Sequence, residues 1–201
     1  MISMELLAAL ATFAFVTSAT PGPNNIMLTA SGANFGFVRT LPHIAGIVAG
    51  VALLNLCIGL GLGALFLQFP LMQDVLKIAG SLYLVWLAIK MLGFSYADNR
   101  PDREARPYSF NQALLFQYIN PKAWVMVISA NASFSLTGDA YWISVGLIIL
   151  VFGIIGPPSV MIWAGFGQFI RQYLNQPKIL KTFNSVMAAL TVGCVVFIWQ
   201  G

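Results

Sequence analysis

Long apolar runs alternate with short polar interruptions along this chain, at about residues 5–31, 42–67, 74–94, 112–135, 141–168 and 183–200. A helix needs roughly 20 apolar residues to cross a bilayer, and all six runs are long enough to do so. One hydrophilic stretch of any length, Ser95 to Pro107, divides the runs three and three. The pattern predicts an all-α polytopic membrane protein with about six transmembrane helices in a single transmembrane domain over residues 1–201. Its first three-segment half covers 5–94, a linker covers 95–111, and the second half covers 112–201. An odd number of spans per half inserts the second half upside down relative to the first.

Two of the runs are interrupted from within. In the first, Thr20-Pro21-Gly22-Pro23-Asn24-Asn25 places two prolines around a glycine. Proline removes an amide donor and clashes with the carbonyl four residues back, so the helix must break near Pro21. In lipid the freed backbone groups would cost several kcal/mol each unless they lie inside protein or face a wet cavity. The second half-helix would then open at Asn24 and Asn25 with exposed N–H groups and a partial positive end, an arrangement suited to a carboxylate. An interhelical kink with asparagine as structural glue is the competing reading. The fourth run repeats the device at Gln117-Tyr118-Ile119-Asn120-Pro121-Lys122. Interrupted segments at corresponding positions of two halves point to a transport site near the midplane. The candidate substrate-binding residues are therefore Pro21, Gly22, Pro23, Asn24, Asn25, Gln117, Asn120, Pro121 and Lys122. Lys122 either snorkels to the interface or faces the cavity and pairs with an anion.

Composition sharpens the class. Apolar residues make up 59% of the chain and charged ones 8%, against about 25% charged in a soluble domain. The net charge of +4 is spread over connections between apolar runs, which excludes nucleic acid as a partner and reads as positive-inside bias. Arg39 lies in the first connection, Lys90, Arg100, Arg103 and Arg106 in or beside the third, and Arg171, Lys178 and Lys181 in the fifth, so the connections near 39, 95–107 and 171–181 should be cytoplasmic. Both termini are then outside; if the first segment instead re-enters and returns, the N-terminus is inside and five spans remain. The start, without Lys or Arg before the apolar stretch, reads as retained rather than as a signal peptide. Gly46, Gly50, Gly59 and Gly63 recur at multiples of four, a spacing for close helix packing.

Several chemistries find no residues to carry them. No Asp or Glu stands at the centre of an apolar run, so no buried carboxylate relay is visible. One histidine, His43, and two distant cysteines, Cys57 and Cys194, offer no metal set. No phosphate loop or nucleophile elbow is present, no cofactor is called for, and Ser81 with His43 as its base makes only a thin hydrolase. The remaining alternative to a transporter is a membrane-embedded enzyme or an accessory membrane protein.

Over nearly its whole length the chain resembles the LysE/RhtB family of bacterial inner-membrane amino-acid exporters. The resemblance rests on Thr20-Pro21-Gly22-Pro23-Asn24, on Gly36-Phe37-Val38-Arg39 with Ala45-Gly46 and Gly50, on Ala79 to Leu87 with Lys90, and on Phe110 through Asn120-Pro121-Lys122. Trp163, Gly167 and Asn184 echo weaker positions. It implies efflux of small amino acids or their derivatives coupled to the proton gradient. Many members carry Asp at the position of Asn24, so the amide here removes the most evident proton carrier. The paired Asn24 and Asn25 are closer to the cysteine and O-acetylserine exporter branch. The expected partners are a small neutral amino acid and the lipid bilayer, with homo-oligomerisation left open.

Overall fold

The computed structural model describes residues 3–62, 68, 70–92, 106–174 and 176–200. Each of the six apolar runs becomes one helix or two. The first is α1 (Met4–Ala19) followed by α2 (Pro23–Phe35); the second is α3 (Phe37–Cys57), running into a π turn at Ile58–Leu62; the third is α4 (Pro70–Leu92). The fourth is α5 (Phe110–Phe116) and α6 (Pro121–Phe134), the fifth α7 (Tyr141–Arg171), and the sixth α8 (Pro177–Gln200). Among the described residues there is no strand. The protein is an all-α polytopic membrane protein with breaks in its first and fourth segments, as the apolar pattern predicts. Gly63 and most of the linker, including Arg100 and Arg103, lie outside the described residues.

Three stretches, Phe37–Gly61, Gly138–Arg171 and Pro177–Val196, are each long and apolar enough to cross a membrane, and α1 with α2, bent by 58°, make a fourth when taken together. The surface of α7 shows the solvent it expects. Ile143, Leu150, Ile154, Ile162 and Phe166 are exposed along one face, while Ser144, Ile148, Phe152, Ser159 and Ala164 are buried along the other. A helix apolar all round with one face exposed is a helix for lipid.

Helix ends extend past the apolar runs. Charged residues made positions 37–41 and 177–182 read as connection, yet α3 and α8 begin there. Arg39, Lys178 and Lys181 are exposed in the first turns, where long basic side chains reach the interface without interrupting the helix.

In lipid, helices associate by close packing rather than by escape from water, so glycines decide where backbones meet. An added Cβ at Gly46 would lie 2.3 Å from the Phe110 carbonyl oxygen, and at Gly50 2.6 Å from Gln117 Cγ, which sets α3 directly against α5. The same geometry joins α2 to α7: a Cβ at Gly32 would meet Ala164 O at 2.1 Å, and one at Gly167 would meet Thr29 O at 2.1 Å. At the far end of that seam the Phe37 N–H donates to Gln168 Oε1 at 2.5 Å. The buried core spans α1, α2, α3, α5, α6 and α7, with Leu10, Leu28, Leu54, Val127 and Ile148 at its centre. Helices α4 and α8 pack on each other beside it, and Leu84 and Leu87 of α4 meet Met27 and Phe116 in a second cluster.

Candidate functional site

Helix α1 ends at Ala19, and its last four carbonyls need donors from outside the helix. All are satisfied. Val16 O accepts the Thr20 N–H (3.0 Å), Thr17 O the Thr20 hydroxyl (3.1 Å), Ser18 O the Asn25 amide (2.9 Å), and Ala19 O the indole N–H of Trp163 (3.0 Å). Beyond them, Thr20 O accepts from Asn25 (2.7 Å) and from Lys122 Nζ (2.5 Å), and Lys122 Nζ also donates to Pro21 O (3.3 Å) and Thr20 Oγ1 (3.0 Å). Asn25 is buried because it folds back over the break it follows. Lys122 reaches it from α6 because Gly22 has no side chain: a Cβ there would lie 2.6 Å from Lys122 Cδ. The ammonium thus meets the negative end of the α1 dipole.

The restart is built the same way twice. Pro23 opens α2 and Pro121 opens α6, each at the first helical turn, where a missing N–H costs nothing. The first intrahelical bond of α2 is Ile26 N–H to Gly22 O, so the N–H groups of Asn24 and Asn25 precede the ladder. Across the break Asn24 and Gln117 form a reciprocal amide pair: Asn24 Nδ2 donates to Gln117 Oε1 at 2.9 Å, and Gln117 Nε2 to Asn24 Oδ1 at 3.1 Å. Gln117 Nε2 also donates to Ala113 O, and Asn120 Nδ2 to Gln117 Oε1 at 3.5 Å. Asn120 is 1% exposed, and its Oδ1 is buried without a hydrogen-bond partner among the described residues.

A cavity lies between these ends. Gly22, Asn24 and Asn25 line it from the first break, Asn120 and Lys122 from the second, and Ile47, Val51, Met126 and Phe152 form its apolar wall. It has about 50 Å³ of space for water-sized spheres, several times the roughly 10–15 Å³ that one water needs. Two helix N-termini and one ammonium face it and, among the described residues, no carboxylate does, so the cavity favours an anionic group.

The structure therefore brings the two broken segments together, and all nine residues nominated from the sequence belong to them. Asn24, Gln117, Asn120 and Lys122 join across the break, whereas Asn25 turns to the carbonyls of α1. Lys122 faces the break and does not snorkel. Pattern reading missed Thr17 and Ser18, which line the cavity, Trp163, whose part depends on α1 and α7 meeting, and the apolar wall, whose residues look like any others in a membrane helix. Ser81 and His43 make no pair: Ser81 Oγ accepts from Trp199, and His43 packs on the Tyr108 ring with both nitrogens buried and unpartnered among the described residues. Among the described residues no cluster of three or more potential metal ligands occurs.

The family model of the LysE type translocators matches residues 15–200, from the last turns of α1 through α8. The chain belongs to this translocator family. It is 30% identical over 197 residues to the cysteine/O-acetylserine efflux proteins of Escherichia coli K12 and of Shigella flexneri, covering 96% of this chain and 97% of theirs. No solved structure matches it. This member of the LysE family is thus a multi-pass inner-membrane protein of the amino-acid exporter class.

Proposed function

We propose that this protein exports a small neutral amino acid or its derivative from the cytoplasm, with the substrate carboxylate held where the N-termini of α2 and α6 converge. The observation that carries the reading is the Asn24–Gln117 amide pair beside Lys122, which puts both broken segments on one cavity. An anion there gains from two partial positive helix ends and an ammonium. Asn24 offers an amide and no negative charge, so nothing at the break clamps a second cationic group, and a dibasic substrate is disfavoured. Cysteine and O-acetylserine, for which the relatives are named, are zwitterions with neutral side chains and suit such a site.

In this reading the halves are inverted repeats. The 58° bend that leads α1 onward into α2 supports a first segment that crosses over one that turns back on itself. The basic first, third and fifth connections face the cytoplasm, and Gly36 and Arg171, from the first and fifth, lie together at one end. The proton gradient is the driving force. Purified protein in vesicles tests both claims: labelled serine or cysteine should show counterflow, and an imposed pH gradient should accelerate its efflux. Depletion of lysine or arginine alone from dipeptide-fed cells refutes the neutral substrate, and no movement of either class refutes export.

A further inference from the structure

The two seams that flank the break are closed differently. Between α2 and α7, glycines at 32 and 167 bring backbone against backbone. Between α3 and α6 the cavity ends at Val51 and Met126, and beyond it the seam closes on a side-chain contact: Asn131 Nδ2 donates to Asn55 Oδ1 at 3.0 Å. Asn55 stands four residues beyond Val51, and Asn131 eight residues beyond Ala123, so both continue faces that line the cavity. The spare amide hydrogens go to the backbone, from Asn55 to Val51 O (3.1 Å) and from Asn131 to Val127 O (2.9 Å). Among the described residues Asn131 Oδ1 is left buried with no partner, on a residue 9% exposed. A buried acceptor without a donor is costly and asks for an explanation. Immediately after Asn55 the helix loosens into the π turn at Ile58–Leu62, where Gly61 has φ 103°. Such turns often mark functional positions in helices.

We infer that Asn55 and Asn131 form a second polar station on the transport path: their mutual bond closes the α3–α6 seam, and Asn131 Oδ1 accepts the ammonium of the departing amino acid when that bond opens. The inference rests on the export reading above. Asn131 lies ten residues past Pro121, about 15 Å along α6, too far for one small amino acid to touch both places at once. The station therefore acts after the break has released the carboxylate. Without it, a zwitterion leaving the cavity passes the apolar side chains of Val51 and Met126, which offer its N–H groups no acceptor.

Two variants separate this role from structural glue, because they pull apart polarity and packing. Asn131→Ser keeps a small acceptor but cannot span to Asn55; Asn55→Leu with Asn131→Leu keeps apolar packing and removes every polar atom. Replacing both partners by apolar groups of similar shape is close to neutral for stability, whereas orphaning one is not. Maximal efflux of labelled serine from vesicles should stay within threefold of the parent for the Ser variant and fall about tenfold for the Leu pair. The Leu pair should keep its thermal unfolding midpoint and its half-saturation on the loading side. The opposite order, with the Ser variant slow and the Leu pair at the parent rate, overturns the station and leaves glue. Equal rates in all three overturn it too. If the parent protein moves no amino acid, the export reading falls and the station with it; if the parent transports, only the station is at stake.

Discussion

Lys122→Met keeps the aliphatic stem over Gly22 and removes three donors, so its effect can be worked out contact by contact. Thr20 O retains the Asn25 amide at 2.7 Å, and Thr20 Oγ1 retains its own bond to Thr17 O. Pro21 O alone loses its donor, at 3.3 Å the longest of the three contacts. One orphaned acceptor costs about 1–3 kcal/mol, offset in part because a half-buried ammonium no longer has to be desolvated. The fold should therefore lose little, about 1 kcal/mol. Substrate should lose more. The weak Pro21 contact is the one a carboxylate can displace, and a charge-assisted hydrogen bond contributes about 1.5–3 kcal/mol. Half-saturation for serine in vesicle counterflow should thus rise roughly 10- to 100-fold, at 1.4 kcal/mol per factor of ten. Serine methyl ester, which has no carboxylate, should compete equally well against the parent and the variant. Competition by the ester weakened as much as that by serine would refute the assignment, because Lys122 would then serve only the break.

Other perturbations test other links. Asn25→Ala strips the donor from Ser18 O and one of two from Thr20 O, and should lower stability by about 1–3 kcal/mol, read as a fall in thermal midpoint in detergent with serine half-saturation little changed. Gly32→Ala sets a Cβ 2.1 Å from Ala164 O, a backbone atom that cannot swing away; overpacking of about 1–3 kcal/mol should appear as a lower unfolding midpoint and reduced protein in the membrane. Single cysteines at Arg39 and at Asp139, in a background without Cys57 and Cys194, should label from opposite sides of the membrane. Labelling of both by an impermeant maleimide from outside intact cells would overturn the proposed topology.

The helix breaks were legible because an apolar run containing Pro21-Gly22-Pro23 has few physical solutions in lipid. Asn120-Pro121-Lys122 was legible as their counterpart for the same reason. Gly46 and Gly50 could be read as packing positions, since four-residue spacing puts them on one helix face. The partners were not legible. Nothing local tells Trp163 that it will donate to Ala19 O, or Asn25 that it will serve carbonyls behind it while Asn24 reaches forward to Gln117. Those choices follow from how α1, α6 and α7 meet. Asn55 and Asn131 look like isolated polar residues in separate runs until the α3–α6 seam joins them. Pro157-Pro158 shows the converse: α7 continues through a proline pair where α1 stops, so proline count alone does not mark a break.

The accounting at the end of α1 has a mechanical consequence. A helix break is usually pictured as a soft joint, a place where a rod flexes because its ladder is missing. Here the joint is bolted: the last four α1 carbonyls have donors from the connecting turn, from α2 and from α7, and Lys122 of α6 holds the carbonyls of Thr20 and Pro21 just beyond them. Straightening or sharpening the elbow would strip several of these bonds at once. The first segment should therefore behave as a bent crank, its two arms held at a fixed angle. Any change in the angle of 58° would strip bonds supplied by several helices, so the angle should persist when substrate binds. A spectroscopic distance between α1 and α2 that stays constant with and without substrate is the signature of that crank.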